Sequence, residues 1–171
     1  CIGVDPYYLV HKAKELQYHT KMINSGRYVN DSMGRYIGKK VVKKIISQGK
    51  NILGAHVLVM GMTFKENVSD IRNSKVADII NEFKDFGAEV DVMDPFASPF
   101  EVLQEYGIRL VERPGKKYDA VVVAVAHTTY LKLDESYFMS ITNEHAVLAD
   151  VKGVYRGRIH QMIYWLSLIH I

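Results

Sequence analysis

The chain has 171 residues, 48% of them hydrophobic and 24% charged, with 12 Gly against 4 Pro. This balance excludes the disordered and collagen-like classes, and the length allows one full domain plus an appendage. Lys and Arg number 22 against 19 Asp and Glu, a net charge of +3 that is too small and too dispersed to argue for nucleic acid. No apolar run reaches the roughly 18 residues of a membrane span, so a soluble chain is expected. One cysteine excludes an internal disulfide or a Cys-cluster metal site and permits a reducing compartment such as the cytoplasm.

The sequence opens on Cys1, with no initiator Met and no leader pattern, which points to processing or fragmentation. A first helix is expected over 8–23, with Gly26 marking a break. A second, amphipathic helix follows, with Asn30, Asp31 and Ser32 as candidate N-caps and Gly49 as its stop. Met33, Ile37, Val41 and Ile45 form its apolar stripe, more than so small a helical appendage can bury by itself, so a dimer is expected. Lys39, Lys40, Lys43 and Lys44 lie on its other faces, as a solvated surface or a phosphate-binding run.

From residue 52 the period changes. A strand buried on both faces is predicted at 57–60, then a helix through Val76, Ile79, Ile80 and Phe83 between Ser74 as cap and Gly87 as stop. Strand 89–93, helix 100–106, strand 108–111, the strong apolar run 120–126, helix 135–141 and a last strand at 146–151 follow. The apolar tail 165–171 has no clear amphipathic spacing and is given no functional weight. The alternation predicts an α/β, doubly wound fold with a mostly parallel sheet over 52–160, in which ligands bind beyond the carboxyl ends of the strands. Those ends are 61–65, Asp94, His127 and 150–153.

The first strand runs into Gly61-Met62-Thr63-Phe64-Lys65-Glu66-Asn67-Val68-Ser69-Asp70-Ile71-Arg72, which is neither a G-x-G-x-x-G fingerprint nor a Walker loop. It places Lys65 and Arg72 at the mouth of the sheet, either as cations for an anionic ligand or as ordinary loop charges. Phe64 offers an apolar face for a base or a sugar, or else fills the core under the loop. Cys1 and Asp5 sit four residues apart at the start of a helix, where backbone N–H groups favour a thiolate, although a lone Cys is more often a small buried hydrophobe. A nucleophile acting through its own α-amine fits poorly, because the chain turns helical after Cys1. His127 and Asp94 are further site candidates, and the histidines have no metal-ligand spacing.

Three stretches together resemble the UDP-glucose/GDP-mannose dehydrogenase family. Cys1-Ile2-Gly3-Val4-Asp5-Pro6-Tyr7-Tyr8-Leu9 is similar to its catalytic cysteine motif, 61–74 to its G-x-x-F-K-x-x-x-x-D-x-R-x-S signature, and Asp150-Val151-Lys152-Gly153 to its late loop. The resemblance runs to about residue 165. It implies a fragment without the family's N-terminal NAD-binding domain: 1–50 as the end of a central helical dimerisation domain, 51–165 as a Rossmann-like UDP-binding domain, and 166–171 as a tail. It implies NAD-dependent oxidation of a sugar C6 alcohol to a carboxylate through a thiohemiacetal and a thioester on Cys1, with Asp5 assisting hydrolysis. Phe64, Lys65 and Lys152 match substrate-binding positions, Arg72 a position that reaches NAD. Val4 stands where the UDP-glucose enzymes carry Lys, and the run to Tyr8 resembles the UDP-N-acetylhexosamine branch, acting on the GlcNAc or GalNAc sugar nucleotide for surface polysaccharide precursors. A homodimer through the central helices is the implied assembly. The competing expectations are a non-catalytic nucleotide-sugar-binding scaffold, and the same chemistry on UDP-N-acetylmannosamine or UDP-glucose.

Overall fold

The computed structural model describes residues 4–167. Five strands, β1 (His56–Met60), β2 (Glu89–Met93), β3 (Tyr118–Val123), β4 (Thr142–Asp150) and β5 (Ile163–Leu166), form one fully parallel sheet in the order β2-β1-β3-β4-β5. The helices are α1 (Asp5–Glu15), α2 (Lys21–Ser47), α3 (Val76–Asp85), α4 (Pro99–Tyr106) and α5 (Glu135–Ile141). Alternate residues of the strands feed two apolar cores. Val57, Val59, Ala120, Val122, Val147 and Ala149 pack with side chains from the later part of α2, from α3 and from α4. Leu58, Met60, Val121, Val123 and Leu148 pack with Phe138 of α5 and with Tyr130, Tyr155 and Ile159. Helices therefore cover both faces, which is why the strands are continuous apolar runs rather than alternating ones.

The chain divides into two compact units, Cys1–Met33 and Gly34–Ile171. In the first, Tyr7 donates a hydrogen bond to the Asp31 carboxylate, and Arg27 pairs with Asp31 at 3.1 Å while lying over the Tyr7 ring. The predicted break at Gly26 is not there. It falls between α1 and α2, where Gln17 takes a φ of 57°, and α2 runs straight through Gly26. Asn30, Asp31 and Ser32 consequently lie inside a helix, and the Ser32 hydroxyl donates back to the Val29 carbonyl rather than capping. Gly49 does follow the end of α2, with a φ of 75°.

The apolar stripe of α2 is covered by the chain itself. Ile37, Val41 and Ile45 are fully buried in the core of the second unit, so they do not offer an open dimerisation face. Two glycines make that packing possible. A Cβ on Gly34 would lie 2.7 Å from Cβ of Asp78, and one on Gly38 would lie 2.8 Å from Cβ of Glu82, so α2 rests directly on α3.

Two strand expectations change. Residues 108–111 make only one bridge, Val92 to Leu110, because the chain leaves the edge at Glu112-Arg113-Pro114-Gly115, where proline has no N–H to donate. Conversely the apolar segment entering the tail forms β5, and the Ser167 N–H continues the edge by donating to the Asp150 carbonyl at 3.1 Å.

β1 is followed in sequence by β2 on one side and flanked by β3 on the other, so the order reverses between β1 and β3. Gly61 sits at that reversal with a φ of 99°, and a Cβ there would stand 2.5 Å from Cβ of Val125. Both constraints call for glycine. Gly61→Ala should lose about 2–4 kcal/mol of unfolding free energy in a urea titration; a loss under about 0.5 kcal/mol would contradict this account of the reversal.

Candidate functional site

The mouth of the sheet is organised by a carboxylate. Asp94 lies just past β2, and its side chain is sealed from solvent. Its Oδ2 accepts hydrogen bonds from the N–H groups of Met62 (2.6 Å) and Thr63 (3.0 Å) and from Nε2 of His127 (3.0 Å). Its Oδ1 accepts from the N–H groups of Phe96 and Ala97. Burial alone would push this carboxyl up, but the donors, His127 foremost, outweigh it and hold it at about 2.

His127 is equally sealed. Its Nδ1 accepts the Asn67 N–H at 3.0 Å, which leaves the ring proton on Nε2, facing Asp94. The ring lies 4.8 Å from that of Phe96 and meets Tyr130 edge-on. Asn67 takes a φ of 58° and its Oδ1 accepts from the N–H (2.9 Å) and the hydroxyl (3.0 Å) of Thr128. The Phe64 N–H donates to the Asp70 carbonyl at 2.7 Å and closes the loop on itself. Segment 61–72 is thereby pinned to the ends of β2 and β3.

A second buried carboxylate does the same at the end of β4. Asp150 accepts from the Gly153 and Tyr155 N–H groups, each at 2.7 Å, and from the Tyr164 hydroxyl at 2.8 Å. Burial, followed by that bond to Asp150, pushes the Tyr164 phenol up. The turn thus fixed carries Lys152, whose Nζ lies 3.7 Å from a carboxylate oxygen of Glu66. The 150–153 turn and the 61–72 loop therefore meet.

The expected site residues fall as follows. Phe64 is 58% exposed, so it does not fill the core under the loop. Lys65 is exposed and its side chain takes no ion pair among the described residues. Lys152 joins these two at the mouth through Glu66. Arg72 is exposed and grips the Asp70 carboxylate with Nε (3.0 Å) and Nη2 (2.8 Å), which holds Asp70 at about 2. Asp5 is exposed at the start of α1, in the first unit; Cys1 lies outside the described residues. Asp94 and His127 are at the strand ends, as expected, but they point inward and shape the loop. Thr63, Asn67 and Thr128 carried no signal in the sequence beyond the readiness of Asn for positive φ.

The sheet's other end has an open cleft of about 430 Å³ lined by Lys50, Asn51, Leu53, Asp119 and Asn143 among others. Its one cation is already matched: Lys50 lies 2.9 Å from Asp119, which also accepts from Asn143 and the His56 N–H. Among the described residues no group of three or more His, Cys, Asp or Glu could hold a metal ion, and no helix is long and apolar enough to cross a membrane.

Residues 58–157 match the sequence profile of the UDP-glucose/GDP-mannose dehydrogenase family, UDP binding domain. The UDP-N-acetyl-D-glucosamine 6-dehydrogenase of Pseudomonas aeruginosa is 42% identical over 153 residues, 89% of this chain and 36% of that protein. Protein CapL of Staphylococcus aureus is 41% identical over 90% of this chain and 36% of its own length. The chain thus spans about a third of the relatives it matches. Among solved structures, the UDP-N-acetyl-mannosamine dehydrogenase Cap5O from S. aureus superposes with a TM-score of 0.72 at 26% identity, covering 96% of this chain and 36% of that one. An NDP-N-acetyl-D-galactosaminuronic acid dehydrogenase from Methanosarcina mazei gives 0.84 at 21% identity, covering 98% and 37%, a likeness of fold.

Because Asp94 is held at about 2 in the folded chain against an ordinary 3.8, its ionised form stabilises the fold above pH 4, and that contribution is lost as pH falls from about 4 through 2. The loss amounts to about 2 kcal/mol. Asp94→Asn, whose amide would face N–H donors, should cost about 3 kcal/mol at pH 7, with the gap to the unsubstituted chain narrowing as urea titrations are taken down to pH 2. Equal stability of the two at pH 7 would contradict the anchoring role.

Proposed function

The chain belongs to the UDP-glucose/GDP-mannose dehydrogenase family, and from that premise we propose that it is the C-terminal part of an NAD-dependent UDP-N-acetylhexosamine 6-dehydrogenase, acting on the gluco-configured sugar nucleotide. The 42% identity to the P. aeruginosa enzyme carries the choice of substrate. The mouth of the sheet agrees with it, since it offers an exposed aromatic ring at Phe64 and cations at Lys65 and Lys152, the groups a base or sugar and a diphosphate require.

In this reading residues 51–165 bind the UDP-sugar, with Lys65 and Lys152 toward its charged and polar groups and Phe64 toward an apolar face. Residues 1–50 belong to a central helical domain. NAD, when bound, accepts the hydride at each of the two oxidations, and the chain carries no G-x-G-x-x-G loop of its own for it. Arg72 fits a contact with that cofactor because its side chain, held by Asp70, is 81% exposed at the same loop. The Cys1 thiolate adds to the C6 aldehyde to give a thiohemiacetal, whose oxidation yields a thioester. Water releases the carboxylate while Asp5 takes up the water's proton. The product, a UDP-N-acetylhexosaminuronate, suits the cytoplasmic supply of acidic surface polysaccharides.

A homodimer remains part of the proposal, on different ground from the α2 stripe. Tyr8, Leu16, Met22 and Tyr28 of the first unit are each more than two-thirds exposed, an apolar surface that a second copy would cover.

Lys65→Ala should weaken UDP-N-acetylglucosamine binding by about 1.5–3 kcal/mol in calorimetry, whereas a merely solvated loop cation would change it by under about 0.5 kcal/mol. The 171-residue chain with NAD⁺ and UDP-N-acetylglucosamine should form no NADH. In the enzyme that includes its cofactor domain, Cys1→Ser should lower kcat and leave sugar-nucleotide affinity unchanged. Wild-type turnover by Cys1→Ser would remove the thioester route.

A further inference from the structure

Lys65 is bracketed by one buried ring. On one side, Nε2 of His127 lies 3.3 Å from the Thr63 hydroxyl, which donates to the Lys65 carbonyl at 3.0 Å. On the other, Nδ1 of His127 accepts the Asn67 N–H at 3.0 Å, and the Asn67 carboxamide is tied to Thr128 beside the ring. The two nitrogens thus reach the side-chain hydroxyl two residues before Lys65 and the backbone N–H two residues after it, while Asp94 fixes the ring through Nε2. The ring is fully buried and cannot itself touch a ligand. Between the brackets, Phe64 and Lys65 project into solvent.

We infer that His127 is a positioning residue for nucleotide binding: it holds the loop in the form that presents Phe64 and Lys65 to a uridine diphosphate group. The inference rests on the UDP-sugar reading above. Physically it is preorganisation. A loop that carries a binding cation on an exposed segment loses affinity if ordering must be done at the moment of binding, and the imidazole does that ordering beforehand. Imidazole suits the place because it joins an acceptor and a donor on a rigid frame, with one nitrogen for a backbone N–H and the other for a carboxylate.

The test uses the 171-residue chain and UDP as the probe, with calorimetry for Kd and amide hydrogen exchange over 64–68. His127→Leu should weaken UDP binding about tenfold and speed exchange across the loop. His127→Asn, which restores an acceptor near the Nδ1 position, should stay within about threefold of the unsubstituted chain. In a Lys65→Ala background the same His127→Leu change should cost clearly less, about threefold, because one of the two residues that the ring presents is already gone. If His127→Leu does not fold, Thr63→Val, which deletes only the hydroxyl linking ring to Lys65 carbonyl, should weaken binding about threefold or more and lose that effect in the Lys65→Ala background. UDP affinity within twofold of normal in a folded His127→Leu or Thr63→Val chain overturns the inference alone. So does a loss that persists in full without Lys65, since that marks a general structural role. No UDP binding by the unsubstituted chain overturns the UDP-sugar reading and the inference with it.

Discussion

A carboxylate shut away from water is costly unless every lone pair is used, and at Asp94 they are. Four backbone N–H groups and one imidazole converge on its two oxygens. Those donors come from three places: the turn after β1, the turn after β2 itself, and His127 beyond β3. The ends of the three strands that define the reversal of order are therefore tied to a single charge. Asp150 repeats the device for β4 and β5 with two backbone N–H groups and a tyrosine hydroxyl. Removing either charge would leave several donors buried without a partner, so the mouth keeps one shape or loses it as a whole.

The consequence for chemistry is a division of labour. Two carboxylates at the mouth, Asp94 and Asp150, are turned inward as anchors, while Phe64 and Lys65 face outward and Lys152 lies 3.7 Å from the half-buried Glu66. Such a surface matches an anionic ligand with a flat ring. The opposite end of the sheet shows the contrast. It has an open cleft of about 430 Å³, but Lys50 there is paired with Asp119, and Asn143 and the His56 N–H also donate to that carboxylate. Space alone does not make that end a binding site, and the carboxyl ends of a parallel sheet are where ligands bind in doubly wound folds.

Much of this was legible in the sequence because it is local. The apolar runs at 57–60 and 120–126, of which the second leaves the sheet after Val123, the helical spacing of Val76, Ile79, Ile80 and Phe83, and the helix stop at Gly49 each depend on neighbours in the chain. What was not legible depends on partners far away. The α2 stripe looked like an unpartnered face, since nothing in 33–45 reveals that Gly34 and Gly38 let the helix sink onto α3. β5 has no alternation of its own because it borrows its pairing from β4. His127 and Asp94, 33 positions apart, could be placed at strand ends by the fold class, yet only the folded chain brings Nε2 within 3.0 Å of Oδ2 and turns two candidate ligand groups into supports for a loop. Phe64 was ambiguous for the same reason, as exposure is decided by how the loop is pinned.

The central claim is that the rigid mouth built on Asp94, and not the cleft at the other end, is where a nucleotide binds. Backbone amide chemical shifts recorded while UDP is titrated into the chain test it most directly. The account predicts that the largest changes fall at 61–67, 94–97, 127–128 and 150–153, with Lys50, Asn51, Asp119 and Asn143 unmoved; changes concentrated at those four residues, with the mouth silent, would contradict it.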